Sequence, residues 1–225
     1  MGERFKALLT RAGAHCPRGA IHRLNAAVNY LEVGRWLREF GADTSRRFDD
    51  RLKLYDFIAG RIGTRPVLYL EFGVYRGETI RAWSRLLTHP DSILHGFDSF
   101  EGLPADFNLT TRRGAFTTSG EPPRVDDPRV AFFTGWFEQT LPVYDVEPSR
   151  LLVVHLDADL YASTIFVLRE LKDALVPGSY LLFDEFSDRQ HELRAFEEFL
   201  SESGFRFEFL AADRALARVA FVRTG

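Results

Sequence analysis

The order of apolar and polar positions divides the chain at Pro66. Before it, apolar residues recur at helical spacing. In "AAVNYLEVGRWLREF" they are Val28, Leu31, Trp36, Leu37 and Phe40. In "FDDRLKLYDFIAGRI" they are Leu52, Leu54, Tyr55, Ile58 and Ile62. This period predicts amphipathic helices, whose aromatic stripe serves packing more readily than ligand binding. After Pro66 the texture changes. Short apolar runs, "VLYLEFG", "ILHGFDSF", "VAFFTGWF", "RLLVVHLD" and "SYLLFDEF", predict strands. Between them "ETIRAWSRLL", "STIFVLRELKDAL" and "RQHELRAFEEFLSES" predict helices; Pro177-Gly178 stops the second and Gly204 ends the third. The tail, "FRFEFLA" then "ALARVAFVR", predicts two alternating strands around a turn at Ala212-Asp213-Arg214.

Strands that alternate with helices imply an α/β fold whose mostly parallel sheet has right-handed crossovers. The terminal hairpin is expected to add an antiparallel edge. Residues 1–62 then form a helical extension, and residues 63–225 the α/β domain. Within that domain, residues 104–129 lose all period and hold Pro104, Gly114, Gly120, Pro122, Pro123 and Pro128. So long a loop in a compact domain is usually functional; we read it as a lid.

Composition narrows the function. The chain has 225 residues, 45% of them hydrophobic, enough for one domain with a substantial core. A net charge of −3 argues against a nucleic-acid partner, which wants a basic face. No apolar run approaches the roughly 18 residues of a membrane span. A single cysteine, Cys16, rules out an intrachain disulfide or an all-cysteine zinc site. The N-terminus lacks a signal peptide's apolar core, and Lys6 stands where a myristoylation signal wants Ser or Thr. A cytoplasmic location is therefore expected, and the sequon Asn108-Leu109-Thr110 is read as chance. The N-terminal helices have two possible homes, their own domain or a second copy in a homo-oligomer.

Candidate chemistry gathers at strand ends. In "EFGVYRG", Gly73 and Gly77 permit a tight turn and, with Val74, a close approach to a ligand. Tyr75 stands where many nucleotide-binding loops keep a second glycine. Glu71 suits a cationic amine better than a diphosphate; a plain strand–helix turn is the simpler alternative. Asp98, in "GFDSFEGLP", ends the next strand, where an acid accepts hydrogen bonds from ribose hydroxyls or else caps its own turn. Ser99 and Phe100 follow it in the same candidate cofactor site. Trp136 or Phe100 is a candidate to lie against adenine, with core packing as the alternative for each. Together Glu71 and Asp98 favour a nucleoside with a cationic amino-acid tail, as in S-adenosylmethionine.

Asp157 ends one strand and Asp184-Glu185, 27 residues on, end the next. Parallel neighbours lie about 4.8 Å apart, so these three acids can converge on one ion. Their hard oxygens suit Mg²⁺. The alternative is an Asp184 that caps a loop and a Glu185 that faces water. His191, at a helix start, is a candidate general base or metal neighbour, or a solvated histidine. His95 and His155 read as core residues.

"LEFGVYRGETI", "GFDSFEGLP", "GWFEQTLP", "VHLDADLYAST" and "LVPGSYLLFDEF" occur in this order. Together they resemble the macrocin O-methyltransferase family, class I methyltransferases that modify sugar hydroxyls in natural products. The resemblance covers roughly residues 66–200. It implies a Rossmann-like seven-stranded sheet with a terminal β-hairpin, S-adenosylmethionine as donor, a small-molecule acceptor, and Mg²⁺ held by Asp157, Asp184 and Glu185. It also implies that Asp157 can act as base, which leaves Asp159 as a cap for the helix near Ser163. One departure stands out: the family usually has two aspartates and a tyrosine where this chain has Asp184-Glu185-Phe186. A phenolic or catechol acceptor would suit the same chemistry. A nucleotide-binding oxidoreductase of the NAD type is the alternative from another class.

Overall fold

The computed structural model describes residues 1–108 and 110–225. Leu109, the centre of the sequon and part of the 104–129 stretch, lies outside the described residues. Among the described residues the strands are β1 (Arg47–Phe48), β2 (Val67–Phe72), β3 (Ile93–Asp98), β4 (Val130–Thr134), β5 (Leu151–Leu156), β6 (Tyr180–Phe183), β7 (Phe207–Asp213) and β8 (Val219–Arg223). They form one sheet in the order β1-β7-β8-β6-β5-β2-β3-β4. The helices are α1 (Glu3–Gly13), α2 (Arg18–Phe40), α3 (Arg51–Ile62), α4 (Glu78–Leu86), α5 (Phe137–Thr140), α6 (Tyr161–Glu170) and α7 (Glu192–Ser203). Pairing is parallel except at β8, which runs antiparallel to both β6 and β7.

The sheet departs from expectation in two places, an added strand and the position of the terminal turn. It has eight strands, not seven, because Arg47 and Phe48 pair with Ala212 and Asp213; two residues are too few to show a period. The terminal hairpin adds the expected antiparallel pair at this end of the sheet, with β8 between β6 and β7 and only the two-residue β1 beyond β7. In β8, Val219, Ala220 and Phe221 are all buried, as expected of a strand covered on both faces. The turn lies after Asp213, because β7 runs to that residue.

Two apolar layers sandwich the sheet, and strand period 2 assigns the residues to them. Leu68, Leu70 and Phe72 of β2, with Leu152, Val154 and Leu156 of β5, face one layer. Val67, Tyr69 and Val153 face the other. Helix α2 joins the first layer through Val33, Trp36 and Leu37; the Trp36 ring meets Phe186 edge-on at 5.2 Å. Helix α3 joins the second through Leu54, Tyr55, Ile58 and Ile62. Asp50 caps α3 by accepting from the Lys53 N–H at 2.9 Å. Helix α1 buries no residue. Among the described residues, no helix is long and apolar enough to cross a membrane.

Candidate active site

The carboxyl edge of β2, β5 and β6 sets the site. Leu156 pairs with Phe183, so Asp157 and Asp184 leave adjacent strands side by side. The Asp184 N–H donates to the Leu156 carbonyl at 3.0 Å, and the Asp157 N–H to the Phe72 carbonyl at 2.9 Å. Gly73 packs against that same backbone: a Cβ there would fall 1.9 Å from the Asp157 carbonyl oxygen. With φ at 92° it also needs a conformation that side chains resist. Tyr75 takes a left-handed φ of 51° at the position where many nucleotide-binding loops keep a second glycine. Such strain in a non-glycine residue concentrates at functional sites.

Asp98 holds this loop in shape. One carboxylate oxygen accepts from the Val74 and Tyr75 N–H groups, each at 2.8 Å, and the other from the Phe100 N–H at 2.7 Å. A carboxylate offers about four lone-pair sites. About one therefore remains for a ligand hydroxyl.

Above this edge lies a cavity of about 350 Å³. Of the expected residues, Gly73, Val74, Asp98, Ser99, Trp136, Asp157, Asp184 and Glu185 line it. Leu103, Pro104 and Phe116, from the lid stretch and its approach, form another wall. Four expected residues sit elsewhere. Phe100 is fully buried and meets the Phe132 ring edge-on at 6.1 Å. Gly77 opens α4 against Pro123. Glu71 is sealed within β2, where the Tyr69 hydroxyl donates to it at 2.6 Å. His191 lines a separate cavity. Its Nδ1 accepts from the Tyr161 N–H at 3.3 Å, and its Nε2–H donates to the Phe107 carbonyl at 3.1 Å. Both ring nitrogens thus fasten the 104–129 stretch to α6.

The structure corrects one role. Asp159 does not cap the helix: the residue at that position is Leu160, and no side chain caps α6. Asp159 instead lines the main cavity with a left-handed φ of 57°. Period and spacing could not reveal this, because a single left-handed residue reverses where a side chain points. Arg218, Tyr55 and Glu192 also reach the site from distant parts of the chain, with no motif to announce them. Arg218 donates to both oxygens of Asp184, at 2.9 and 3.1 Å, and the Tyr55 hydroxyl donates to the same group at 3.4 Å. Glu192, fully buried, accepts from the Glu185 N–H at 2.8 Å.

Charge is the dominant property. Six carboxylates line the cavity (Asp98, Glu138, Asp157, Asp159, Asp184 and Glu185), and no basic side chain among the described residues does. Burial, then the charges of Asp184 and Asp159, pushes the Asp157 carboxyl well above its ordinary range. Burial and the charge of Asp184 raise Asp159 to about 7; the same two causes raise Glu185 to about 7. Burial lifts Glu192 as well. Asp184 is the exception. Burial opposes its ionisation, but His155 and Arg218 beside it hold its pKa below the usual value. The cluster therefore holds more acidic groups than Arg218 can keep ionised. Its hard oxygens fit a divalent cation in donor chemistry, although among the described residues no three such groups stand arranged as a ready-made metal set.

Burial also raises Glu71, to about 8. Because the folded-state value exceeds the unfolded one, the associated stability is full below about pH 4.3 and is lost as pH rises through the folded value. At pH 7 the buried carboxyl stays mostly protonated while the unfolded chain ionises, which costs about 3 kcal/mol of stability. Glu71→Gln should therefore raise the melting temperature of the ligand-free protein at pH 7–8 and flatten its decline from pH 5 to 8. Parallel melting curves for the two proteins across that range would contradict this account.

The chain is similar to known proteins. The Macrocin-O-methyltransferase (TylF) family model matches residues 113–217. The 8-demethyl-8-(2,3-dimethoxy-alpha-L-rhamnosyl)-tetracenomycin-C 4'-O-methyltransferase of Streptomyces olivaceus is 31% identical, over 56% of this chain and 57% of the relative. The mycinamicin III 3''-O-methyltransferase of Micromonospora griseorubida is 30% identical, over 54% of this chain and 44% of the relative. The chain thus spans about half the length of these curated relatives. The solved structure of the O-methyltransferase NovP superposes with a TM-score of 0.62 at 24% identity, over 78% of this chain and 80% of that one. The resemblance to the macrocin O-methyltransferase family is borne out, and the fold is that of class I methyltransferases.

Proposed function

We propose that this protein transfers a methyl group from S-adenosylmethionine to a hydroxyl of a sugar or glycosylated natural product, with assistance from Mg²⁺. The observation that carries the reading is the acid-lined cavity at the carboxyl edge of a methyltransferase sheet. Six carboxylates without a basic side chain favour a cationic ligand and repel a diphosphate, which speaks against the NAD alternative. The sugar acceptor is supported by the names of the relatives, one of which prints a rhamnosyl group, said of those proteins only.

Bound S-adenosylmethionine would supply an electrophilic sulfonium methyl, and Mg²⁺ held by Asp157, Asp184 and Glu185 would lower the pKa of the acceptor hydroxyl. The chain's own residues do the rest. Asp98 would offer its remaining acceptor site to a ribose hydroxyl, and Trp136, in the same cavity wall, would flank the adenine. Leu103, Pro104 and Phe116 exclude water from one side, the task of a lid. Asp157, with Asp159 beside it, would take the proton of the acceptor hydroxyl. Its raised proton affinity makes it a stronger base than an ordinary carboxylate. Positioning and charge stabilisation supply most of the rate.

The test is methyl transfer to a panel of glycosides and phenols, with Mg²⁺ and then with chelator. Turnover on glycosides that falls at least tenfold in chelator and returns with Mg²⁺ is expected. Unchanged turnover in chelator would remove the metal from the reading. No binding of S-adenosylhomocysteine by calorimetry would overturn the reading as a whole.

A further inference from the structure

A second cavity, of about 660 Å³, opens beside the first. The two share a partition only one residue thick in sequence. Pro104 and Asp159 line the acidic cavity, while their neighbours Ala105 and Leu160 line the other. Their charges are opposite. The second cavity has Arg189 and Arg194 in its wall and no carboxylate among the described lining residues. Neither guanidinium is committed to a strong ion pair. Arg194 lies over the Tyr161 ring at 4.0 Å, and no described carboxylate is within ion-pair distance of it. Arg189 Nη1 is 3.9 Å from Glu32, a loose contact, and its Nε is buried without a hydrogen-bond partner among the described residues. The nearest acid in sequence, Asp188, accepts from the Gln190 N–H at 2.9 Å.

We infer that the second cavity holds a phosphoryl group of the acceptor, so that the preferred substrate is a phosphate-bearing sugar whose hydroxyl reaches through to the acidic cavity. This deepens the proposed function and rests on it for the hydroxyl's destination. The shape of the charge favours phosphate. Guanidinium forks match phosphate oxygens, and two of them offer more donors than one carboxylate can accept. The volume exceeds what a lone carboxylate needs. The bipolar arrangement also orients the acceptor: its anionic end is repelled by the carboxylates and drawn to the arginines, which leaves the sugar ring at the partition. Two sources share this chemistry, a sugar 1-phosphate and a nucleoside diphosphate sugar.

The experiment has a binding arm and a kinetic arm. Pyrophosphate is titrated calorimetrically into the wild-type protein, R194Q and R189Q. The wild type should bind it, with at least tenfold weaker binding in each variant. Both sites lie toward the surface, and an unchanged melting temperature verifies that each variant is folded; R194K, which keeps the charge but loses the fork, should fall between. In the kinetic arm, kcat/KM is compared for a nucleoside diphosphate hexose, the hexose 1-phosphate and the neutral methyl glycoside. The preference for phosphorylated over neutral acceptor should drop at least tenfold in R194Q, and whichever phosphorylated acceptor is preferred identifies the source. No pyrophosphate binding by the wild type, or equal binding by folded variants, would overturn the inference. The binding arm stands without catalysis, so it separates this failure from failure of the methyltransferase reading, which S-adenosylhomocysteine binding reports.

Discussion

Replacing Asp157 with asparagine is expected to lower methyl transfer by about 10²- to 10⁴-fold and leave the protein folded. The same substitution at Asp159 is expected to act in the same direction, because both side chains line the cavity. Stability should not fall with activity in either case. Burial and neighbouring acids already make the charged form of each group costly, and an amide removes that charge. At position 159 the left-handed backbone adds no obstacle, since asparagine adopts that conformation more readily than most residues. The measurement is kcat for each variant beside its melting temperature. An active Asp159→Asn protein with a lowered melting temperature would restore the structural role expected from sequence and defeat the geometric assignment.

The contrast between these two aspartates marks where the sequence stops being readable. The strand-end acids Asp98, Asp157 and Asp184 were legible, because an apolar run that stops at a carboxylate places it at a sheet edge. Parallel pairing then puts Asp157 beside Asp184. The glycine turn was legible in part: Gly73 meets the Asp157 backbone, while Gly77 serves α4 instead. Backbone handedness was not legible, and it decides Asp159 and Tyr75. Nor was burial on both faces of β8. Glu71 shows a subtler limit. Its place near a strand end was right, yet its side chain turns into the layer that holds Tyr69.

Arg218 illustrates the last kind of gap, a long-range partner, and carries the second large effect. It lies in the terminal hairpin, 34 residues beyond Asp184, where nothing in the local pattern marks it. It is nevertheless the cation that engages both Asp184 oxygens and also lies 3.3 Å from Asp213. Removing one partner of a buried pair leaves an uncompensated charge and typically costs 3–5 kcal/mol. Here the cost should reach that range, because Asp184 would face Asp157, Asp159 and Glu185 with only His155 beside it. Arg218→Met, which keeps the apolar stem, should therefore lose about 3–5 kcal/mol in denaturant unfolding at pH 7. Much of that loss should return at pH 5, where protonation relieves the cluster. Mg²⁺ should raise the variant's stability more than the wild type's, since a cation drawn to the same oxygens substitutes for the missing guanidinium. Equal stabilisation of both proteins by Mg²⁺ would show that the ion does not engage Asp184. A variant as stable as the wild type would show that the carboxylates discharge their repulsion without Arg218.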